Sequence, residues 1–288
     1  MINTEDKLIN KKKIVFIASY MKSGNTWMRS IICSLMNNGE FQLEDLKKIK
    51  LFSQEVYFNK LPNIKYQENG NIDFNFISDN WIEAQKIINV SSNENLKLFK
   101  THNVRGIINN NFFTDESVCK GFVYLIRDPR DICISLAKHM NTNIDQAIDV
   151  MLFQKNFVTN VFKVNESVCT WKDHIESWIN FRTVPRLIIK YEDMIFDIKK
   201  IIEQTINYLN ILYGEKKFSE DIIYKIINKT NFSNLQKLEK TYGFSEATNN
   251  NFFRKGKSGE WKKILNKDQI KLIEKELGST MIKLGYVT

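Results

Sequence analysis

Proline is nearly missing from this chain: 3 residues in 288, beside only 11 glycines. That scarcity excludes a collagen-like repeat, a proline-rich spacer and a low-complexity tail, and no internal repeat is visible. The 4 cysteines (Cys33, Cys119, Cys133 and Cys169) show neither CxxC nor mixed Cys/His spacing, so no metal site is expected. Three of them lie in apolar segments, where a reduced thiol behaves as a small hydrophobe. Long apolar runs are missing as well. None approaches membrane-spanning length, and the run that follows the basic "NKKK" is too short for a secretory core. The expectation is a soluble cytoplasmic protein with no membrane partner.

What is present suffices for one substantial core. With 43% hydrophobic residues over 288 positions, the chain is expected to form a single domain, 1–288. The net charge of +9 comes from scattered lysines, with no arginine-rich or aromatic-interleaved module. It reads as a solvated basic surface that also focuses a small anion, and no nucleic-acid partner is expected.

Four short apolar runs read as buried strands: "IVFIAS" (14–19), "LKLFKT" (96–101), "GFVYLI" (121–126) and "RLIIKY" (186–191). They lie among helical patterns at 25–36, 129–140, 167–181 and 197–212. Strands separated by helix-length segments predict parallel pairing, hence an α/β three-layer sandwich with a central, mainly parallel sheet. Ligands of such sheets bind at the carboxyl ends of the strands. Two polar excursions, 39–95 and 141–168, read equally as acceptor-binding walls or as peripheral helices. Within the first, Phe52, Tyr57, Phe58, Phe74, Phe76 and Trp81 could line a pocket, with packing the expected use of most.

The first strand runs into "SYMKSGNTW" and then into a helix. Free N–H groups at a helix N-terminus, a flexible Gly24, the hydroxyls of Ser23 and Thr26, and Lys22 together suit an anion. The order is not that of a Walker A loop, because Lys22 precedes the glycine and the leading glycine is absent. An arginine at a strand end (Arg127) and a serine inside the next helix (Ser135) suit a phosphate monoester. Pro129 fits the first turn of that helix. Arg130 reads as a surface ion-pair partner of Asp128 or Asp131. Lys100 and His102 stand two apart, so on a strand they share one face. Of the three histidines only His102 lies at a predicted strand end. His139 and His174 read as surface or packing residues.

"KSGNTW", "YLIRDPRDICISLAKH" and "FFRKGKSGEWKK", in that order, resemble the PAPS-dependent sulfotransferases, in particular bacterial small-molecule enzymes of the cytosolic type. The resemblance runs from about Lys13 to Tyr286 and implies the P-loop-like sulfotransferase fold. It implies PAPS as sulfuryl donor, PAP as product and no metal. Lys22, Ser23, Gly24, Asn25 and Thr26 would then form the 5′-phosphosulfate loop. Arg127, Ser135, Arg254, Lys255 and Gly256 would hold the 3′-phosphate, and the segment before Arg254 would close over the nucleotide. Trp27, Tyr191, Thr230 and Phe232 match adenine-side positions, although Trp27 and Phe232 read equally well as core.

The resemblance makes "LFKTHNV" the catalytic segment. His102 would be the general base, with a ring that titrates near operating pH. Lys22 and Lys100 would neutralise the charge that spreads in an in-line transfer. Ser135 would restrain the loop lysine until acceptor binds. The acceptor is expected to be a hydroxylated small molecule, with an amine as the variant and a secondary metabolite as the type. One departure stands out: the dimer motif of animal relatives reads "KKILNKDQIK" here, which leaves the oligomeric state open. Two other classes compete. A P-loop-type kinase requires a different loop order and a magnesium carboxylate, and a non-catalytic binder of adenosine bisphosphate or nucleic acid gives His102 no purpose.

Overall fold

The structure, a computed structural model, describes residues 12–91, 93–155, 158–161, 164–246 and 252–287. Its first strand, β1 (Ile14–Ser19), is buried at every position. Ile14, Phe16 and Ala18 belong to one hydrophobic core, and Val15 and Ile17 to a second. A strand buried on both faces has no polar side, which is why it reads as an unbroken apolar run.

The main sheet is completed by β2 (Lys50–Leu51), β3 (Lys97–Thr101), β6 (Cys119–Ile126) and β9 (Arg186–Lys190) in the order β2-β3-β1-β6-β9. All neighbours in it are parallel. Two antiparallel ribbons stand apart, β4 (Ile107–Ile108) with β5 (Asn111–Phe112) and β7 (Val158–Val161) with β8 (Val164–Ser167). Helices α1 (Asn25–Met36) and α4 (Ile198–Tyr213) bury their apolar residues in the core beneath Val15 and Ile17. Helices α2 (Pro129–Met140), α3 (Trp171–Ile179) and α5 (Lys267–Lys283) supply the opposite core. The expected three-layer α/β sandwich is therefore what forms. Because β1 has β3 on one side and β6 on the other, the chain order reverses at β1, and a crevice opens at the carboxyl ends of these strands.

Local capping explains where the elements begin. Gly24, in the left-handed region at φ 97, turns the chain into α1. Asp128 caps α2 by accepting the N–H of Arg130, with Pro129 next in line. Asp197 caps α4 in the same way.

Some boundaries differ from the expectation. The strand predicted over 186–191 ends at Lys190, because Tyr191 opens a short helix, Tyr191–Phe196. The helix predicted over 167–181 begins only at Trp171. Ser167 ends β8, and Cys169 (φ 59) turns the chain before Thr170 caps α3.

Arg130 needs a fuller correction. It does pair with Asp128 (2.7 Å), but it is buried rather than on the surface. Its guanidinium lies 3.8 Å from the Trp261 ring centroid, contacts Glu274 at 2.6 Å and donates to the Tyr286 carbonyl at 3.0 Å. It pins α2 to α5 and to the chain that follows. Cys33, Cys119 and Cys133 are buried free thiols, and Cys169 is partly exposed.

Candidate active site

The loop after β1, the ends of β3 and β6 and the start of the Tyr191 helix surround one cavity of about 950 Å³. Of the residues singled out in the sequence, Lys22, Gly24, Asn25, Thr26, Trp27, Lys100, His102, Arg127, Ser135, Tyr191 and Phe232 line it. Ser23 is buried beside it, with a hydroxyl that has no hydrogen-bond partner. Such an orphan just before the start of α1 suits an anion's oxygens. Arg127 is held by the Lys22 carbonyl (3.0 Å) and the Lys257 carbonyl (3.2 Å), while its Nε has no partner.

The glycine in this loop is required by sterics. A Cβ on Gly24 would lie 2.6 Å from the Tyr191 ring, at a backbone φ of 97. Trp27 meets Tyr191 and Phe232 edge to face, at 5.9 Å and 6.2 Å between centroids, and donates its indole N–H to the Thr230 carbonyl. These rings form an aromatic wall at one end of the cavity. The Thr230 hydroxyl is turned into its own helix, toward the Ile226 carbonyl.

Arg254, Lys255 and Gly256 do not line the cavity. Both cations are paired with Glu260, and Gly256 (φ 59) packs against the Phe232 ring. Burial works to raise the Glu260 pKa, but Arg254 and Lys255 outweigh it and hold the carboxyl at about 2. The segment continues into a turn that Asp131 grips from α2, accepting from Gly259 N–H (2.6 Å), Trp261 N–H (3.0 Å) and the Ser258 hydroxyl (3.3 Å). The expected closing segment falls partly on 247–251, outside the described residues.

His102 stands just past β3. Its Nδ1 is 2.8 Å from the Ser19 carbonyl, which can only accept, so Nδ1 carries the proton and Nε2 keeps its lone pair. Burial, then the Lys100 charge, pushes the imidazole well below its ordinary range. Burial, with Lys100, Arg127 and Arg254 nearby, brings Lys22 down to about 8. Lys22 also rests over the Phe252 ring at 4.6 Å.

Two carboxylates of the cavity, Glu246 and Glu166, went unread in the sequence, and His139 was given another place. Glu246 joins Lys100 (3.1 Å) and the buried Arg29 (2.9 Å). Burial works to raise its pKa, but those two cations hold it down to about 2. Glu166 is buried beneath His102. His139, expected at the surface or in packing, faces the cavity, where burial, Lys22 and Lys100 lower it to about 4. His174 is fully buried packing: its Nε2 donates to the His102 carbonyl, and Tyr124 donates to its Nδ1. The six aromatics of the first excursion stay out of the cavity lining, and Phe52, Phe58, Phe76 and Trp81 are buried core. Among the described residues no cluster of His, Cys, Asp and Glu suits a metal ion, and no helix is long and apolar enough to cross a membrane.

Residues 12–285 match the family model of the sulfotransferase domain. The chain is 28% identical over 253 residues to sulfotransferase 1E1 of Cavia porcellus, covering 85% of this chain and 75% of that protein. It is 23% identical to sulfotransferase 2A6 of Mus musculus, covering 97% and 88%. Among solved structures, retinol dehydratase in complex with androsterone and the inactive cofactor PAP superposes with a TM-score of 0.61 at 22% identity, covering 93% of this chain and 80% of that one. Mouse sulfotransferase SULT7A1 complexed with PAP gives 0.56 at 17% identity, covering 96% and 88%.

The close approach at the loop sets one expectation. Replacing Gly24 by alanine places a Cβ in left-handed backbone, which costs about 1–2 kcal/mol, and drives it into the Tyr191 ring. Thermal denaturation should show a lowered midpoint relative to the parent chain. An unchanged midpoint would mean that the loop relaxes without strain.

Proposed function

The chain belongs to the sulfotransferase family, and on that premise we propose that it moves the sulfuryl group of PAPS to a hydroxyl of a small-molecule acceptor, with His102 as the general base. One observation carries this reading: His102, with its proton fixed on Nδ1, opens onto the same cavity as Lys22 and Lys100.

Lys22, Ser23, Gly24, Asn25 and Thr26 would cradle the 5′-phosphosulfate. The orphaned Ser23 hydroxyl and the glycine turn support that use. Arg127, Ser135, Arg254, Lys255 and Gly256 would hold the 3′-phosphate, which would draw Arg254 and Lys255 away from Glu260. Trp27, Tyr191 and Phe232 offer the adenine a hydrophobic wall with edges and faces exposed, and Thr230 acts through its carbonyl. His102 Nε2 takes the proton of the acceptor hydroxyl as its oxygen bonds to sulfur. The bond from sulfur to the bridging oxygen breaks, and its electron pair leaves with the 5′-phosphate of PAP. Lys22 and Lys100 neutralise the charge that spreads over the sulfuryl and bridging oxygens. Met21, Leu51, Gln54 and His139 also line the cavity and would give the acceptor a mix of apolar and polar contact. We read residues 1–288 as one domain working in the cytoplasm.

His102→Ala should lower turnover by about 10²–10⁴-fold while calorimetry with PAP shows unchanged affinity. Loss of both would make the residue structural. Replacing Arg254 and Lys255 by alanine should weaken PAP binding by at least about tenfold, the scale of one charge-assisted hydrogen bond, and unchanged affinity would remove them from the site. Lys22 gives the pH dependence. Its charged form binds the anion, and its pKa in the free protein is lowered to about 8. Affinity for PAP should therefore be full below that pH and weaken above it. In Lys22→Arg, which stays charged, the decline should vanish.

A further inference from the structure

The proposed base is gripped by a carboxylate that serves no other group in the reaction. Glu166, in β8, is 1% exposed. Its Oε1 accepts three hydrogen bonds from consecutive residues: the Thr101 hydroxyl at 3.1 Å, the His102 backbone N–H at 2.9 Å and the Asn103 amide at 3.3 Å. The next residue fastens the same turn. Ser167 N–H donates to Asn103 Oδ1 (2.9 Å), and the Ser167 carbonyl accepts from Val104 N–H (2.7 Å).

His102 is thus fixed at three points that come from three different elements. Its N–H goes to Glu166, its carbonyl receives His174 Nε2 at 3.1 Å, and its ring Nδ1 reaches the Ser19 carbonyl at 2.8 Å. Of these, the His174 contact ends in a histidine sealed in the core, and the Ser19 contact belongs to β1. Only Glu166 belongs to the β7–β8 hairpin and also lines the cavity. Burying a carboxylate is costly unless donors surround it, and here the donors are the residues that carry the base, together with the Ser53 side chain.

We propose that Glu166 is a positioning residue for sulfuryl transfer. It locks the 101–103 turn so that Nε2 of His102 faces the cavity, and it ties the orientation of the base to the β7–β8 hairpin. This rests on the reading of His102 as the base.

The test compares Glu166→Gln, which keeps an oxygen for the three donors, with Glu166→Ala, which keeps none. PAPS and 4-nitrophenol are the substrates, and His102→Ala is the reference. Glu166→Gln should retain most of kcat. Glu166→Ala should lose about 10²-fold in kcat, the effect of a small misplacement of a reacting group, with KM for PAPS and Kd for PAP unchanged. The imidazole nitrogen signals of His102, assigned by their loss in His102→Ala, provide a readout that needs no acceptor. They should report a single Nδ1–H tautomer in the parent chain and in Glu166→Gln, and a mixture in Glu166→Ala.

Glu166→Ala with parental kcat and tautomer overturns the proposal. So does a variant that loses PAP affinity in step with kcat or does not fold, since the carboxylate is then a strut of the fold. Turnover that persists in His102→Ala would instead overturn the assignment of the base, whatever the Glu166 variants do.

Discussion

Burial, and then the charges of Lys100, Arg127 and Arg254 beside it, depress the pKa of Lys22 at the carboxyl edge of the sheet, and much of the site's architecture answers that crowding of cations. Of these cations, Lys100, Arg127 and Arg254 each have a carboxylate or carbonyl partner. Glu246 spans Lys100 and Arg29, Glu260 takes Arg254 and Lys255, and Arg127 is held between two backbone carbonyls. Such internal partners already satisfy these charges, so phosphates bound there, as proposed, would gain only the difference between their contacts and those they displace. That exchange favours a ligand with several negative groups, correctly spaced, over a single small anion.

The second organising element is the set of polar struts across the sheet edge. Asp131 holds the turn at 258–261, and Arg130 in the same helix pins the C-terminal helix. Helix α2 therefore bears on both parts of the 3′-phosphate site proposed above: Arg127 and Ser135 from its own neighbourhood, and the glycine-containing segment through Asp131. The orientation of that segment depends on a carboxylate from a different element.

Much of this was legible in the chain because the signals are local. The limits of β1, α1 and α2 follow from apolar runs bounded by Gly24 and by Asp128–Pro129, and the structure reproduces them residue for residue. The cradle residues cluster at strand ends for the same reason. What escaped depends on partners far apart in sequence. Glu246 matters because it reaches Arg29 and Lys100, and Glu166 because it reaches residues 101–103, and neither stands in a recognisable pattern. Arg130 was placed at the surface because a charged residue beside two aspartates reads that way, whereas Trp261 and Glu274 arrive from the far end of the chain to cover it. Ser167 was assigned to a helix because the hairpin that makes it a strand residue is closed by contacts outside its own segment.

The strand order carries a consequence for how the chain is made. β1 is synthesised well before both of its neighbours, which meet it at Lys97 and Cys119. Until then a strand with no polar face has nothing to pair with, and the loop that Gly24 shapes has no Tyr191 beneath it. Non-local parallel pairing of this kind closes slowly and leaves apolar segments exposed in the interval. Synthesis of this chain therefore passes through a window in which its most buried strand is its most aggregation-prone, ended only when β6 arrives to cover it.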